Sequence, residues 1–190
     1  MTITRLKLTL EGVVPLVSRT LEVPSEIRLD RLHLAIQAAM GWENCHLYEF
    51  IAGETRWGLP DPDFGTDARP ATKASLADVI DAARSAPIRY VYDFGDEWVH
   101  LIEAENIGDP TPGNLYPRLV DMINKCPPED VGGLPGYENF LDAIGDRAHH
   151  EHGELMEWAG GSFDPHTLDA DKLRLDVLKL AKKWKKQKRK

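Results

Sequence analysis

Apolar and polar residues alternate along the first segment of the chain, ITRLKLTLEGV. Leu6, Leu8 and Leu10 fall on one side of an extended backbone and charged or hydroxyl residues on the other, as in a half-buried strand. Pro15 interrupts the alternation and VSRTLEVP resumes it. The pattern therefore predicts a β-hairpin at the start of the chain.

The next segments change between helical and strand-like patterns. An apolar stripe predicts a helix from about Arg28 to Met40, with Gly41 as a C-terminal stop. A second pair of short strands is predicted around residues 52–54. Residues 60–72, PDPDFGTDARPAT, are rich in proline and aspartate and are predicted to form a loop.

A second helix is predicted to begin at Ser75, because Asp78 follows three residues later as in a capping box, and to end before Pro87. Residues 89–103, RYVYDFGDEWVHLIE, predict another hairpin whose turn is DFGD. Two strands and a helix therefore repeat. This order predicts an α+β fold, an antiparallel or mixed sheet with helices packed on one face.

Proline and glycine predominate after Glu105, and no long regular element is predicted before YENFLDAIGD. Three helices are predicted in the rest of the chain: in YENFLDAIGD, in HHEHGELMEWAGGSF and from residue 163 onward. We expect one α+β domain over residues 1–171, followed by a basic C-terminal helix or tail over residues 172–190.

The distribution of charge supports this division. Residues 172–190 carry ten Lys and Arg against one acid, whereas residues 1–171 carry the other 13 basic residues and 30 acidic ones. Because an acidic body opposes the phosphates of nucleic acid, any binding of nucleic acid is expected through the tail alone.

Two cysteines, Cys45 and Cys126, are too few for a disulfide framework. We expect both to be free thiols, and Cys126 to be buried and inert. The N-terminal segment lacks the apolar core of a signal peptide, and no apolar run approaches the roughly 18 residues of a membrane span. A soluble cytoplasmic protein without a membrane partner is therefore expected.

Four stretches in order resemble a known family: YVYDFGDEWVHLIEAE, CPPEDVGGLPGYENFLDAI, DRAHHEH and EWAGGSFDP. From Met1 to about Asp171 the chain resembles the plasmid pRiA ORF-three-like family, also labelled passenger TnpR proteins of an insertion element. The resemblance implies an α+β fold, found on plasmids, mobile elements and chromosomes, and carries no activity with it. Resolvase chemistry is not expected, because Ser18 and Ser25 lie in a strand and at a helix cap. The family usually has proline where Arg147 stands.

Polar residues of the predicted DFGD hairpin and of the CPPED stretch form one candidate site. They are Asp93, Asp96, Glu97, His100, Glu129 and Asp130. If the two segments meet, paired carboxylates beside an imidazole provide acid–base groups or ligands for a divalent cation. The structural alternative is a polar turn and a rigid loop whose acids cap backbone groups. Both interpretations remain open.

A second candidate is the histidine-rich stretch HHEH. On a helix, His149 and His152 lie three residues apart, close enough to share a metal ion if the fold brings in further ligands. The sequence assures no cofactor, and a divalent metal is the one candidate. The alternative is an exposed helix start.

The basic tail, KLAKKWKKQKRK, interleaves lysines with a tryptophan, as in segments that bind nucleic acid. Its candidate contact residues are Lys182, Lys183, Trp184, Lys185 and Lys186. The alternative is a helix that folds back on the acidic body.

Three functional hypotheses follow. The first is a non-enzymatic protein-interaction module of an accessory protein from plasmids or mobile elements, with a protein partner. The second is a nucleic-acid-associated accessory protein that uses the basic tail. The third is a metal-assisted hydrolase that uses the histidines and carboxylates.

Overall fold

The computed structural model describes residues 1–60, 68–84 and 86–187. In these ranges eight strands and five α-helices are found. The strands are β1 (Ile3–Leu10), β2 (Ser18–Pro24), β3 (Tyr48–Ala52), β4 (Thr55–Gly58), β5 (Arg69–Pro70), β6 (Ile88–Tyr92), β7 (Trp98–Gly108) and β8 (Arg118–Ile123). The helices are α1 (Leu29–Met40), α2 (Leu76–Ala83), α3 (Gly133–Gly145), α4 (His152–Trp158) and α5 (Ala170–Gln187).

The strands of the described residues form one mixed sheet in the order β5-β4-β3-β6-β7-β1-β2-β8. All neighbours are antiparallel except β4 and β5. The hairpins predicted from the alternating patterns are present: β1 pairs with β2, β3 with β4, and β6 with β7. The α+β fold class is confirmed.

The two faces of the sheet differ as the alternation in β1 predicts. Leu6, Leu8 and Leu10 are buried in the main apolar core. Arg5 and Lys7 point the other way and pair with acids of the neighbouring strands. Because exposed ion pairs contribute little to stability, the buried leucine row is what fixes which face of the strand turns inward.

Helices cover the apolar face. α1 contacts β2, α2 contacts β3 and β6, and α5 contacts α1 and β8. The predicted capping box at the start of α2 is present, because the Ser75 hydroxyl accepts from the Asp78 N–H and the Asp78 carboxylate accepts from the Ser75 N–H. α1 ends at Gly41, whose φ of 85° is the left-handed conformation expected at a helix stop.

The segment after Glu105 is more regular than predicted. β7 continues to Gly108, and β8 forms although the surrounding sequence is rich in proline and glycine. The physical reason is that β2 has an unpaired edge, which residues 118–123 complete, with Leu119 buried between half-buried neighbours.

The loop predicted over residues 60–72 lies partly outside the described residues, which omit 61–67. Its last residues form β5 and a short 3₁₀ helix at Ala71–Lys73, so that part of the prediction was wrong. α3 begins at Gly133, four residues before the predicted start at Tyr137, because Pro135 lies in its first turn, where a missing N–H has no cost.

The basic C-terminal segment is a packed helix. Leu173, Val177 and Trp184 of α5 belong to the main apolar core. Trp184 is 8% exposed, and the Arg31 guanidinium covers its ring at 5.3 Å from the centroid. The Trp184 ring is therefore occupied by packing, as in the alternative of a helix that folds back on the body, and nucleic-acid binding by the tail stays a prediction. Lys182, Lys183, Lys185 and Lys186 remain exposed.

Among the described residues, no helix has the length and the apolar character that crossing a bilayer requires.

Candidate functional site

Three connecting segments meet at one end of the sheet. They are the α1–β3 loop (residues 41–47), the β6–β7 turn (residues 93–97) and the β8–α3 loop (residues 124–132). Each begins where a regular element ends, so its polar side chains are positioned by rigid backbone on both sides.

Tyr92, the last residue of β6, is the centre of the hydrogen bonds between these segments. Its hydroxyl donates to Glu129 Oε1 at 2.5 Å and accepts from the backbone N–H groups of Cys45 and His46 at 3.0 and 3.3 Å. Glu129 Oε2 accepts from the Glu43 N–H at 2.6 Å. One phenol and one carboxylate therefore join the sheet to both loops.

The imidazole of His46 lies between two carboxylates. Its Nε2 is 3.0 Å from Asp130 Oδ1 and 3.5 Å from Asp93 Oδ2. This nitrogen is shielded from solvent and is nevertheless without a hydrogen bond among the described residues, because closeness is not matched by alignment. We refer to His46, Asp93 and Asp130 as the His46 cluster.

The backbone of the β6–β7 turn orients Asp93. Its Oδ1 accepts from the Gly95 N–H at 2.9 Å, which leaves Oδ2 directed toward His46. Asp96 connects the turn to the β8–α3 loop, because its Oδ2 accepts from the Gly132 N–H at 3.1 Å. The two predicted acidic segments therefore touch, and Asp130 lies beside Asp93.

Close contact between these segments requires glycine at position 133. A Cβ on Gly133 would lie 2.6 Å from the Asp96 carbonyl oxygen, and the φ of this residue is +67°. Both facts exclude a side chain without movement of the backbone.

The site also concentrates unusual backbone conformations. Among the described residues, five of the six non-glycine residues with positive φ lie in the three segments: Asn44, Asp93, Glu97, Asn124 and Asp130. Asn and Asp tolerate this conformation, whereas Glu97 is a less usual occupant. Such backbone geometry gathers where surrounding contacts hold it in place, and functional sites are frequent examples.

A cleft of about 700 Å³ opens beside the His46 cluster, between the two loops and the α4–α5 region. Trp42 forms part of its wall; the indole donates to the Pro127 carbonyl at 3.0 Å and stacks on Tyr92 with centroids 5.1 Å apart. Glu129 and Asp130 lie at its rim. The volume is typical of sites that bind small molecules or short peptide segments.

A buried polar layer lies under the site. The Tyr90 hydroxyl contacts His33 Nδ1 at 2.8 Å and accepts from Gln37 Nε2 at 3.0 Å, and the other nitrogen of His33 contacts Asn44. Burial lowers the pKa of His33 to about 4. This imidazole is therefore neutral at physiological pH.

His100 does not join the candidate site, which corrects its assignment from the sequence. It is fully buried, and its Nδ1 lies 3.2 and 3.1 Å from the carbonyl oxygens of Tyr90 and Trp98. Burial lowers the pKa of His100 to about 4. Because side chains alternate along β7, His100 lies on the core face of the sheet and not among the loops that form the candidate site.

Glu97 also lies apart from the cluster. It is exposed, and its N–H closes the turn by donating to the Asp93 carbonyl at 2.6 Å. The structure thus brings together Asp93, Asp96, Glu129 and Asp130 of the six residues first considered.

The predicted metal pair His149 and His152 lies just before and at the start of α4, and the ligand atoms of His149, His150 and Glu151 are within 4.8 Å of one another, so metal binding by His149 and His152 stays a prediction. Residues 147–151 are a turn and not a helix, because Asp146 Oδ1 captures the Ala148 N–H at 2.8 Å. His149 Nδ1 accepts from the Glu151 N–H at 3.2 Å, whereas His152 Nδ1 contacts the Ala143 carbonyl at 2.8 Å. The two rings are oriented by different neighbours.

Sequence reasoning missed Cys45, His46 and Tyr92 as site residues. The stretch ENCHLYEF places a cysteine and a histidine a few residues after a helix stop. That combination was the available signal. The sequence does not show that Cys45 and His46 lie near the CPPED stretch in space.

The thiols and the phenol at this end of the sheet have raised pKa values, whereas a nucleophile usually has a lowered one. Burial and the Glu129 carboxylate raise the pKa of the Cys45 thiol. Burial and the same carboxylate raise the pKa of the Tyr92 hydroxyl well above its usual range. Burial raises the pKa of Cys126 to about 11, in agreement with the predicted inert thiol. All three remain protonated near neutral pH.

Fold and site together define an α+β protein whose sheet is covered by helices on one face and carries a polar cluster where three loops converge. The family described as Plasmid pRiA4b ORF-3-like protein matches residues 2–172, and the chain belongs to this family.

Two similar proteins extend the comparison. Uncharacterized protein y4hQ of Sinorhizobium fredii (strain NBRC 101917 / NGR234) is 43% identical over 183 residues, covering 96% of this chain and 94% of that protein. A crystallised protein of unknown function from Methanosarcina mazei Go1 is 30% identical, with a TM-score of 0.76 over 93% of this chain and 97% of that one.

Proposed function

We propose that this protein is a non-enzymatic interaction module, in an accessory protein of plasmid or mobile-element type. Its cleft binds a partner segment that presents an apolar anchor beside a basic residue. The observation that carries the proposal is the cleft itself, which places exposed aromatic surface next to a carboxylate rim.

The apolar side of the cleft includes a large exposed side chain. Trp158 at the end of α4 is 47% exposed, and its ring contacts Phe140 edge-on with centroids 5.6 Å apart. Phe163 packs on the same ring of Phe140 at 5.1 Å. Half-exposed aromatic side chains held by a rigid neighbour are typical anchors of protein interfaces.

The rim supports a basic partner. Glu43, Glu129 and Asp130 line the cleft on the side of the His46 cluster. The body that surrounds them, residues 1–171, carries 30 acidic residues against 13 basic ones. A segment with Lys or Arg is therefore attracted to this surface, and repulsion disfavours an acidic one.

Protonation supports binding without catalysis. The Cys45 thiol and the Tyr92 hydroxyl have raised pKa values, because burial and Glu129 disfavour their charged forms. A nucleophile needs the opposite shift.

A peptide-display selection against the whole chain tests the proposal. The expected consensus is an aromatic or aliphatic residue beside Lys or Arg. Trp158→Glu is expected to weaken binding of the selected peptide by at least about tenfold, because it replaces the anchor surface with a charge. Glu43→Lys is expected to weaken it as well, by reversing the charge of the rim.

Leu175→Glu is the matched control. Leu175 is 48% exposed on α5 and does not line the cleft, so the same change of chemistry is made elsewhere on the surface. The control is expected to bind as the wild type does. Selection without a consensus, or equal loss in Leu175→Glu and Trp158→Glu, would rule the cleft out as the binding surface.

A second candidate function is nucleic-acid binding by α5. Lys179, Lys182, Lys183 and Lys186 lie on one face of this helix around a shallow groove. Lys179 pairs with Asp176 at 2.7 Å, whereas the other three have no ion-pair partner among the described residues. Unpaired lysines at this spacing provide a site for phosphates.

A salt titration of DNA binding tests this candidate. Replacing Lys182, Lys183 and Lys186 with alanine is expected to weaken binding and to reduce its salt dependence by about three phosphate contacts. Equal affinity of the triple variant and the wild type would exclude α5 as a nucleic-acid interface.

A further inference from the structure

We propose that His46, Asp93 and Asp130 form a binding site for a divalent first-row transition-metal ion, of the zinc type. The three residues come from three separate segments, and the candidate ligand atoms all lie within 4.8 Å of one another. The inference is independent of the partner proposed for the cleft.

The two distances from His46 to the carboxylates match the edges of a coordination polyhedron. Zinc and related ions lie about 2.0–2.2 Å from nitrogen and oxygen ligands. Two such ligands are therefore about 3.0 Å apart at a right angle and about 3.4 Å apart in a tetrahedron. His46 Nε2 is 3.0 Å from Asp130 Oδ1 and 3.5 Å from Asp93 Oδ2.

The orientation of the imidazole supports the same conclusion. A hydrogen bond aligns the ring N–H with one oxygen, yet Nε2 of His46 is buried and has no hydrogen-bond partner among the described residues. Two oxygens close to a nitrogen without alignment are arranged as ligands of a common third atom. An orphaned buried nitrogen is otherwise costly.

Neighbouring groups hold the carboxylates in place. Asp93 Oδ1 is occupied by the Gly95 N–H at 2.9 Å, so Oδ2 is the oxygen left for a ligand role. The hydrogen bond from Gly132 to Asp96 fixes the β8–α3 loop that carries Asp130. Outer contacts of this kind orient ligands before the metal binds.

A neighbouring group, Cys45 with His46 and Glu129, is within the same distance limit but fits a metal less well. Both oxygens of Glu129 already accept hydrogen bonds, from Tyr92 and from the Glu43 N–H. We therefore assign Glu129 the role of joining the loops and leave the ligand roles to Asp93 and Asp130.

The ligand set selects the class of ion. Mg²⁺ and Ca²⁺ prefer oxygen ligands throughout, whereas an imidazole with two carboxylates suits zinc, manganese, iron or cobalt. Asp130 is largely exposed, so the solvent side of the site is open to water. The ion would join the β8–α3 loop to the β6–β7 turn and so fix the acidic rim of the cleft.

Calorimetric titration with Zn²⁺ and absorption spectra with Co²⁺ test the site, on full-length protein made without a histidine tag. The wild type is expected to bind one ion per chain. His46→Ala is expected to weaken binding at least about a hundredfold, because a ligand is lost. Asp93→Asn keeps the oxygen that accepts from Gly95 but loses the charge, and about a tenfold loss is expected.

His149→Ala with His152→Ala is the matched control, since it removes two imidazoles elsewhere and is expected to bind zinc as the wild type does. Circular dichroism and melting curves in chelator separate loss of ligands from loss of fold. A zinc-dependent rise in melting temperature is expected for the wild type and the control, and none for His46→Ala. Absence of Zn²⁺ and Co²⁺ binding by the wild type would overturn the proposal, as would undiminished binding by His46→Ala.

Discussion

The His46 cluster and the histidine-rich segment at residues 149–152 contain similar side chains and are assembled in different ways. In the histidine-rich segment, the ligand atoms of His149, His150 and Glu151 lie within 4.8 Å of one another, and these residues are adjacent in sequence. In the His46 cluster, three residues from remote segments converge within the same distance. The first group is therefore a local feature of the chain, whereas the second depends on the fold.

Backbone constraint explains the difference. The segments around His46 are held by the Tyr92 and Glu129 side chains, the Asp96 contact and glycine at 133. The histidine-rich segment lies between two short-range features, the capture of Ala148 by Asp146 and the first turn of α4. A site assembled from remote segments therefore depends on the contacts that hold those segments together.

The largest expected effect concerns pH. Burial lowers the pKa of His33 and of His100 to about 4, below the value of about 6.5 that an exposed imidazole has. The unfolded chain therefore binds more protons between these pH values. Their stabilisation is complete above about pH 6.5 and is lost as pH falls toward 4, by about 3 kcal/mol for each group. Urea unfolding at a series of pH values measures this loss.

A surface histidine provides the control for that measurement. Alanine replacement of the exposed His150 controls for the loss of an imidazole outside the core. His33→Gln is expected to reduce its slope by about 1.4 kcal/mol per pH unit. A flat stability curve across this range would contradict the neutral burial of these imidazoles.

The next largest effect is the loss of stability expected when Gly133 is replaced. Gly133→Ala is expected to cost about 2–3 kcal/mol, because the φ is positive and the new Cβ meets the Asp96 carbonyl oxygen. Gly153→Ala, in α4 beside the histidine-rich segment, meets nothing within 4 Å and is expected to stabilise by up to about 1 kcal/mol. Chemical denaturation of both variants compares the two regions directly. Equal effects of the two substitutions would show that close approach at residue 133 is not required.

The smallest effect concerns the Tyr92 hydroxyl. Tyr92→Phe is expected to destabilise by about 1–2 kcal/mol, because Glu129 and the Cys45 N–H both lose a partner. In Tyr116→Phe, the matched control, an exposed loop loses one hydrogen bond from the Thr111 N–H, and less than about 1 kcal/mol is expected. Urea midpoints give both values. A harmless Tyr92→Phe would mean that the loops are held together by packing alone.

Much of the fold follows from local patterns in the sequence. The leucine row of β1, the capping box at Ser75 and the stop at Gly41 each act over a few residues, so periodicity and cap chemistry predict them. β8 was missed because its reason for forming is the free edge of β2, which no local pattern shows.

The candidate site was predicted in part for the same reason. The DFGD turn and the CPPED stretch attract attention by their acids, and the structure places Asp93 and Asp130 together. His46 was missed because its partners are 47 and 84 residues away along the chain. His100 was misassigned because its place in the alternation of β7 was not weighed against its chemistry.

Diffraction at the zinc absorption edge, from crystals grown with zinc, tests whether His46, Asp93 and Asp130 hold a metal ion. We expect an anomalous peak about 2.0–2.2 Å from His46 Nε2 and from one oxygen each of Asp93 and Asp130. A peak at His149 and His152, with none at His46, would contradict this assignment.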